Sequence, residues 1–218
     1  MKQTMKFAAV VALALSTVLV GCKKDDVDAP VVTLLGAASE SKILNASYTD
    51  AGATSKDERD GDLTSSIVSD AATAVKKDLA GNYTVTYTST DAAGNAGKAT
   101  RTVMVKNAAD AKAGSYAVTD LSGGFSSNYS DAAVASSTVN NRILVGKFAN
   151  YSGAGVYMTI STDGLTVTVP SQTVASGTPA ANRTFAGSGT VSSTGMVIDY
   201  TETTNNTTVT GKGTYTKQ

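Results

Sequence analysis

The stretch Gly81-Asn82-Tyr83-Thr84-Val85-Thr86-Tyr87-Thr88 decides the fold class of this sequence. Its large side chains alternate with polar ones, and alternate side chains of an extended chain point to opposite faces. This period of two predicts a β-strand with one buried face, because an amphipathic helix repeats every 3.6 residues. Thr100-Arg101-Thr102-Val103-Met104-Val105 alternates in the same way, and the turn signals Asp60-Gly61-Asp62 and Ala93-Gly94-Asn95 separate the strands. We therefore expect a small antiparallel sandwich.

The composition of the chain favours strands and excludes several kinds of chemistry. The 218 residues include no Trp, no His and a single Cys. Without His there is no Ser-His or Cys-His nucleophile pair, and one Cys cannot form a disulfide within the chain. Basic and acidic residues number 18 each, so no dense basic face for nucleic acid is predicted. We expect a protein that is not an enzyme, with no cofactor and no nucleic-acid partner.

Residues 1–21 are predicted to be a helical signal peptide. Residues 1–6 carry two lysines, residues 7–20 form an almost unbroken apolar run, and small residues close the segment, which is the plan of a secretory signal. The apolar run is shorter than the roughly 20 residues that a transmembrane helix needs. This segment is therefore expected to be removed after export.

The end of this leader, Leu19-Val20-Gly21-Cys22, resembles the lipobox of bacterial lipoproteins. The resemblance implies cleavage before Cys22 and acylation of that cysteine, for example with palmitate, which leaves residues 22–29 as an acylated tether. Several acyl chains on one residue give stable anchoring, so a membrane is the predicted partner. Lys23-Lys24-Asp25-Asp26 resembles the signal that sends Bacteroidetes lipoproteins to the outer face of the outer membrane, and a solvated charged tether is the alternative interpretation. The predicted location is the outer membrane, at the cell surface.

Residues 30–106 contain five motifs whose order resembles a bacterial immunoglobulin-like domain, of the type found in pesticidal crystal proteins and on Bacteroidetes surface lipoproteins. The motifs are Asp28-Ala29-Pro30-Val31-Val32-Thr33-Leu34, Tyr48-Thr49-Asp50-Ala51-Gly52-Ala53, Asp60-Gly61-Asp62-Leu63-Thr64, Gly81-Asn82-Tyr83-Thr84-Val85-Thr86-Tyr87 and Asp91-Ala92-Ala93-Gly94-Asn95. The resemblance implies a seven-strand β-sandwich that serves as a spacer or interaction module, with no catalytic residues. Gly81-x-Tyr83 also resembles a tyrosine corner, and Val85 stands where antibody domains place a cysteine. The core is therefore expected to hold by packing alone.

Residues 107–114 lack strand alternation and are predicted to be a linker to a second β domain at residues 115–218. Strands are predicted at residues 116–119, 142–150, 156–161, 165–169, 184–191, 196–201 and 207–215. Consecutive strands with short turns predict an antiparallel meander, either an up-and-down barrel or a second sandwich. This half is similar to the β-rich carboxyl-terminal domains of small Bacteroidetes lipoproteins, some of them lipocalin-like.

The sequence offers one candidate metal site. Asp60, Asp62, Asp91 and Asn95 could bring oxygen ligands for calcium together at one end of the sandwich. Asp-Gly and Gly-Asn pairs are also what tight turns use, because Asp and Asn bond their own backbone. Turn formation is therefore the stronger interpretation of these residues.

Candidate ligand-binding residues lie in the second half. Tyr129, Tyr151 and Tyr157 could stack on sugar rings, with ordinary core and surface tyrosines as the alternative. Asp199 and Glu202 are the clustered acids that a hydrolase would need. They lie three residues apart on a predicted strand, so they are expected on opposite faces of a solvated strand edge.

These observations predict a non-enzymatic outer-membrane lipoprotein. Its immunoglobulin-like stalk would present a β-rich domain that binds a ligand or a partner, such as a glycan or an outer-membrane protein. The alternatives are a lipocalin-like carrier of a small apolar ligand and, more weakly, a carboxylate-dependent hydrolase. A closed barrel around an apolar cavity would favour the carrier, and a cleft lined by two facing acids would favour the hydrolase.

Overall fold

The structure, a computed structural model, describes residues 25–218. Within these residues the chain is nearly all β, as predicted, with fifteen strands and one α-helix of four residues. The signal peptide and Cys22 lie outside the described residues. Among the helices of residues 25–218, none has the length and apolar character needed to cross a membrane.

The first half of the described chain is a sandwich of two sheets. Its strands are β1 (Val31–Leu34), β2 (Ser39–Ile43), β3 (Ala53–Asp57), β4 (Gly61–Asp62), β5 (Val68–Ser69), β6 (Gly81–Thr90) and β7 (Ala96–Lys106), with helix α1 (Ala71–Ala74) after β5. The sheet orders are β1-β3-β4 and β2-β7-β6-β5. The pairing is antiparallel except between β2 and β7, which run parallel. This is the seven-strand sandwich that the resemblance implied. One of its strand pairs, β2 with β7, is parallel.

The alternation in β6 determines which face of this sheet is buried. Val85 and Tyr87 are buried against Val103 of the neighbouring strand β7, while the threonines between them face outward. The Tyr83 hydroxyl donates to the Leu79 carbonyl at 2.6 Å, which confirms the predicted tyrosine corner. The period of two in the sequence therefore identified the core of the sandwich correctly.

The sandwich also holds a buried ion pair, which the expectation of a core held by packing alone did not include. Arg101 is 1% exposed, and its Nη1 lies 2.5 Å from Oδ1 of Asp50. Its guanidinium also donates to the backbone carbonyls of Leu35, Ala37 and Gly52. The hydroxyls of Tyr48 and Tyr87 donate to the same Asp50 oxygen at 3.0 and 2.5 Å. Burial and the adjacent Asp50 carboxylate raise the pKa of Tyr48 to about 12, which keeps its hydroxyl a donor.

The second half is a closed barrel of eight antiparallel strands. They are β8 (Gly114–Ser122), β9 (Phe125–Ala135), β10 (Arg142–Phe148), β11 (Tyr151–Ile160), β12 (Thr166–Ser176), β13 (Ala181–Val191), β14 (Gly195–Thr204) and β15 (Thr207–Lys217). Each strand pairs with the next in sequence, and β15 pairs back with β8. The structure thus selects the up-and-down barrel from the two alternatives that the sequence left open.

The sequence pattern missed strand β9. Its inward positions include Ser127, Tyr129, Asp131 and Ala133, which alternate with more exposed neighbours. Because these inward side chains are small or polar as often as apolar, they give no hydrophobic alternation. The pairing of β9 with β8 and β10 places it in the barrel wall all the same.

Apolar side chains fill the middle of the barrel. They belong to one core cluster, in which the rings of Phe148, Phe185 and Tyr200 meet edge to face. The fully buried members with the largest side chains are Tyr116, Phe148, Phe185, Ile143, Met158, Met196 and Ile198. The middle of the barrel is therefore a packed core, in the manner of other small barrels.

The segment predicted as a linker is packed against the barrel. Asn107 is 2% exposed, and its Nδ2 donates to the carbonyls of Ser136 and Val139 at 2.7 and 2.8 Å. Its Oδ1 accepts from the Asn141 amide at 2.9 Å. A short 3-10 helix, Asp110–Lys112, follows. The segment is thus not a free spacer, because the buried Asn107 side chain forms hydrogen bonds with the backbone of a barrel loop.

Candidate functional site

Successive connections of an up-and-down barrel lie at alternate ends. Residues 136–141, which contact the linker, mark the proximal end. The opposite end carries the connections at residues 123–124, 149–150, 177–180 and 205–206. We call these four connections and the interior side chains beneath them the distal mouth.

The interior changes from apolar to charged at the distal mouth. Tyr116, Val118 and Asp120 share the inward face of β8, and Asp120 is 2% exposed. From β14, Glu202 is 3% exposed and forms an ion pair with the Nη1 of Arg183. The Arg183 guanidinium in turn lies 3.7 Å from the centroid of the Tyr151 ring, a cation–π contact. Buried charges of this kind are costly unless they are paired.

Asp120 is held by one neutral donor. The Tyr200 hydroxyl lies 3.0 and 2.9 Å from its two carboxylate oxygens. Burial raises the pKa of Asp120 above its ordinary value. Burial and the nearby Asp120 charge also raise the pKa of Tyr200, so this hydroxyl is the donor.

A glycine lets Tyr200 reach that position. Gly211 on β15 pairs directly with Tyr200 on β14. A Cβ at position 211 would lie 2.3 Å from the ring carbon Cζ of Tyr200, so only glycine leaves room for the ring to cross toward β8. The hydroxyl at the end of the ring then meets Asp120. Gly211, which lies within a strand and not in a turn, is therefore part of the site.

Asp120 differs from the other buried carboxylates among residues 25–218. Asp57 accepts backbone N–H bonds from Arg59 and Asp60, and Asp91 accepts them from Asn95. Glu202 has Arg183. Within the described residues, Asp120 alone of these four has neither a cationic side chain nor a backbone N–H as a hydrogen-bond partner. Its carboxylate is therefore the least compensated of these four buried acids.

A cavity of about 280 Å³ opens beside Asp120 at the mouth. Phe125 lies at the rim of this cavity. Its ring is 83% exposed, which is unusual at a strand position whose side chain belongs to the inward-facing series. Ala149 and Asn150 form the turn on the opposite side, with φ of 52° and 61°. The complete lining is Asp120, Ser122, Phe125, Ser127, Ala149, Asn150 and Tyr151. An aromatic ring, a carboxylate, hydroxyls and an amide thus surround one small space, as in many ligand sites.

The structure separates the three candidate tyrosines. Tyr151 lines the cavity, and Tyr129 packs on the barrel core beneath it, where burial raises the pKa of Tyr129 to about 12. Tyr157 pairs with the exposed Leu144 and lies under the Arg142 guanidinium at 4.1 Å, on the outer face. The three rings therefore do not form one stacking platform, because the Tyr157 side chain points out of the barrel.

The candidate calcium residues cap turns. Asp91 accepts from the backbone and side-chain amides of Asn95 at 2.7 and 2.8 Å, and Asp60 accepts from the Ala92 amide at 2.7 Å. Asp62 serves a different turn, where it accepts from the Thr64 amide at 2.8 Å. In the part of the chain that the structure describes, no group of three or more acids, His or Cys is placed to hold a metal ion. Calcium binding by these residues stays a prediction. The hydrogen bonds within the turns make it less favoured.

Asp199 and Glu202 lie on opposite faces of β14, as predicted, but the expectation of a solvated edge is wrong for Glu202. Asp199 is exposed, 3.3 Å from the ammonium group of Lys212. Glu202 points into the barrel. The sequence spacing gave the relative orientation of the two acids, whereas only closure of the barrel shows which side is buried.

Comparison with known proteins finds a family match for the sandwich. Residues 32–105 match the family model described as bacterial surface protein, Ig-like domain. The sandwich is therefore a bacterial surface immunoglobulin-like domain, in agreement with the resemblance of its motifs.

Among solved structures, a lipoprotein from Bacteroides thetaiotaomicron is 15% identical, with 87% of this chain and 100% of that chain covered and a TM-score of 0.36. A protein from Bacteroides fragilis described as an outer membrane protein is 13% identical, with 87% and 94% covered and a TM-score of 0.36. The comparison with curated proteins gives no match.

Proposed function

We propose that this protein is a non-enzymatic lipoprotein of the bacterial outer membrane whose barrel binds a ligand at the distal mouth. In this proposal Cys22 carries the lipid and the immunoglobulin-like domain is the stalk. The observation that carries the proposal is the cavity at the mouth, where the buried Asp120 has no cationic partner among residues 25–218 and Phe125 is exposed.

The junction between the two domains supports this arrangement. The Ala80 amide of the sandwich donates to the Ser137 carbonyl of the barrel at 2.7 Å, and Asn107 is buried between them. These bonds lie at the proximal end of the barrel. The distal mouth faces away from the junction and is accessible to a ligand.

The two alternatives fit the barrel less well. A carrier of an apolar ligand needs an apolar cavity, and the middle of this barrel is filled by side chains. A carboxylate hydrolase needs two acids facing one substrate. Asp120 lines the cavity, but the Glu202 carboxylate is bonded to Arg183 and is not part of the lining. Capture of a glycan stays a prediction for the mouth.

The proposal is tested by filling the cavity. In Ser127→Trp the new side chain would occupy the space beside Asp120, whereas Ser130→Trp places the same side chain on the outer face of the same strand. The mature chain and both variants are screened by thermal shift against small amines, neutral sugars and fatty acids. We expect at least one compound to raise the melting temperature of the wild type and of Ser130→Trp but not of Ser127→Trp, since a ligand that binds only the folded state stabilises it. No stabilising compound, or equal stabilisation of both variants, would refute a ligand site at the mouth.

A further inference from the structure

Asp120 lines the cavity, and much of the bonding capacity of its carboxylate is unused. An ionised carboxylate has about four lone-pair sites on its two oxygens. Within the described residues it receives one hydroxyl, that of Tyr200, shared between both oxygens. The Arg183 guanidinium, which also lies at the mouth, is already bonded to Glu202 and stacked on Tyr151. A positive charge from outside would therefore complete the site.

We infer that the distal mouth recognises a primary ammonium group, which pairs with Asp120 while Phe125 covers the adjoining carbon atoms. This inference rests on the proposed function and names the chemical class of its ligand. A neutral hydroxyl would add a second donor of the kind that Tyr200 already supplies and would leave the buried charge uncompensated. An ammonium supplies both the charge and three N–H donors.

The rest of the cavity suits such a group. The Ser122 and Ser127 hydroxyls and the Asn150 side chain can accept the N–H bonds that Asp120 does not take. The Phe125 ring, 83% exposed at the rim, offers an apolar face with a negative quadrupole, which attracts both carbon atoms next to an amine and the cation itself. A volume of about 280 Å³ admits an alkyl amine or an amino sugar.

Binding of this kind depends on pH through groups that face Asp120 from several strands. Burial raises the pKa of Asp120, and the negative charge of Glu202 on β14 raises it further. The Asp120 carboxylate is therefore protonated more readily than an exposed one. Tyr200 on β14, Tyr129 on β9 and Tyr215 on β15 have raised pKa values because they are buried, and they stay neutral. Ammonium binding should therefore weaken as the pH falls and Asp120 takes up a proton.

Calorimetric titration of the mature chain tests the inference with matched ligands. The probes are cadaverine and glucosamine as amines, and glucose and N-acetylglucosamine as their neutral counterparts. We expect at least one amine to bind tenfold or more tightly than either neutral sugar. Asp120→Asn should lower amine affinity at least tenfold, and it should still fold because its side-chain carbonyl can accept the Tyr200 hydroxyl.

Phe125→Ser gives a second test that does not touch the buried charge. This variant should weaken amine binding several-fold, whereas Val134→Ser, which removes an exposed side chain on the outer face of the same strand, should not. If a neutral sugar or a fatty acid binds at the mouth as tightly as the amines, or Asp120→Asn leaves amine binding intact, the inference is wrong and the proposed function stands. If no probe binds and none stabilises the chain, both are wrong.

Discussion

Replacing Arg101 by methionine should destabilise the immunoglobulin-like domain strongly. The variant keeps an unbranched side chain at a position that is 1% exposed but removes the cation that Asp50 faces at 2.5 Å. It also removes the donor to the carbonyls of Leu35 and Ala37. The Asp50 carboxylate would keep only its hydroxyl donors.

The size of the loss follows from these partners. Removing one member of a buried ion pair costs about 3–5 kcal/mol, and a buried carbonyl left without a donor costs about 1–3 kcal/mol. The Asp50 side chain is 18% exposed, so water can reach it and reduce the cost. We expect a loss of about 3 kcal/mol in the free energy of unfolding. This is a large share of the roughly 5–15 kcal/mol that stabilises a typical domain.

Urea unfolding of the mature chain, followed by circular dichroism and tyrosine fluorescence, measures the loss. Lys98→Met makes the same replacement of a cation at an exposed position of the same strand, and it should change stability by no more than about 0.5 kcal/mol. Asp50→Asn and the double variant complete a cycle, in which we expect a coupling of more than about 1 kcal/mol. A loss below about 1 kcal/mol in Arg101→Met would show that packing alone holds this core.

Other features give further expectations. Gly211→Ala should cost about 1–3 kcal/mol by calorimetry because its Cβ would lie 2.3 Å from the Tyr200 ring, and an unchanged melting temperature would refute the role of this glycine. Asp120→Asn should melt higher than the wild type at neutral pH. Burial raises the pKa of Asp120 in the folded state, so the wild type loses stability as the pH rises from the ordinary pKa of 3.8 through that raised pKa. The variant has no carboxyl group to ionise and does not lose this stability. Millimolar calcium should raise the melting temperature if the turn acids bind it, and no shift would leave them as turn residues. Cys22→Ser should abolish labelling by palmitate, and labelling at the wild-type level would rule out acylation there.

The sequence predicted local features of the fold better than distant ones. The alternation of Tyr83, Val85 and Tyr87 was sufficient to assign a buried strand face, because side-chain direction in a strand depends only on parity. The ion pair of Arg101 with Asp50 was missed, since its members are far apart in the chain and an arginine in an alternating pattern looks solvent-exposed. Closure of the barrel was undecided for the same reason: its last pairing joins Lys217 to Tyr116.

The candidate site was harder to predict because it lies where the hydrophobic pattern fails. Phe125 and Ser127 belong to β9, the strand that has no apolar alternation. Extending the alternation of Tyr116 and Val118 by one step would have placed Asp120 in the interior, but a charged residue normally ends a predicted strand. Such local conflicts between pattern and fold are expected at functional sites. Tyr151 was named because its ring offers apolar area together with a hydroxyl, and the structure places it in the lining of the cavity.

The lengths of the outer strands in the sandwich bear on crowding. Closure leaves the barrel without an edge strand, so the edge strands of the described sheets are β1, β4, β2 and β5. Two of these, β4 and β5, have two residues each, and none is longer than five. Exposed edges invite pairing between molecules, and short ones are a common protection against it. Under the proposed lipid anchoring, copies held at high density would therefore stand side by side without aggregating through their strands.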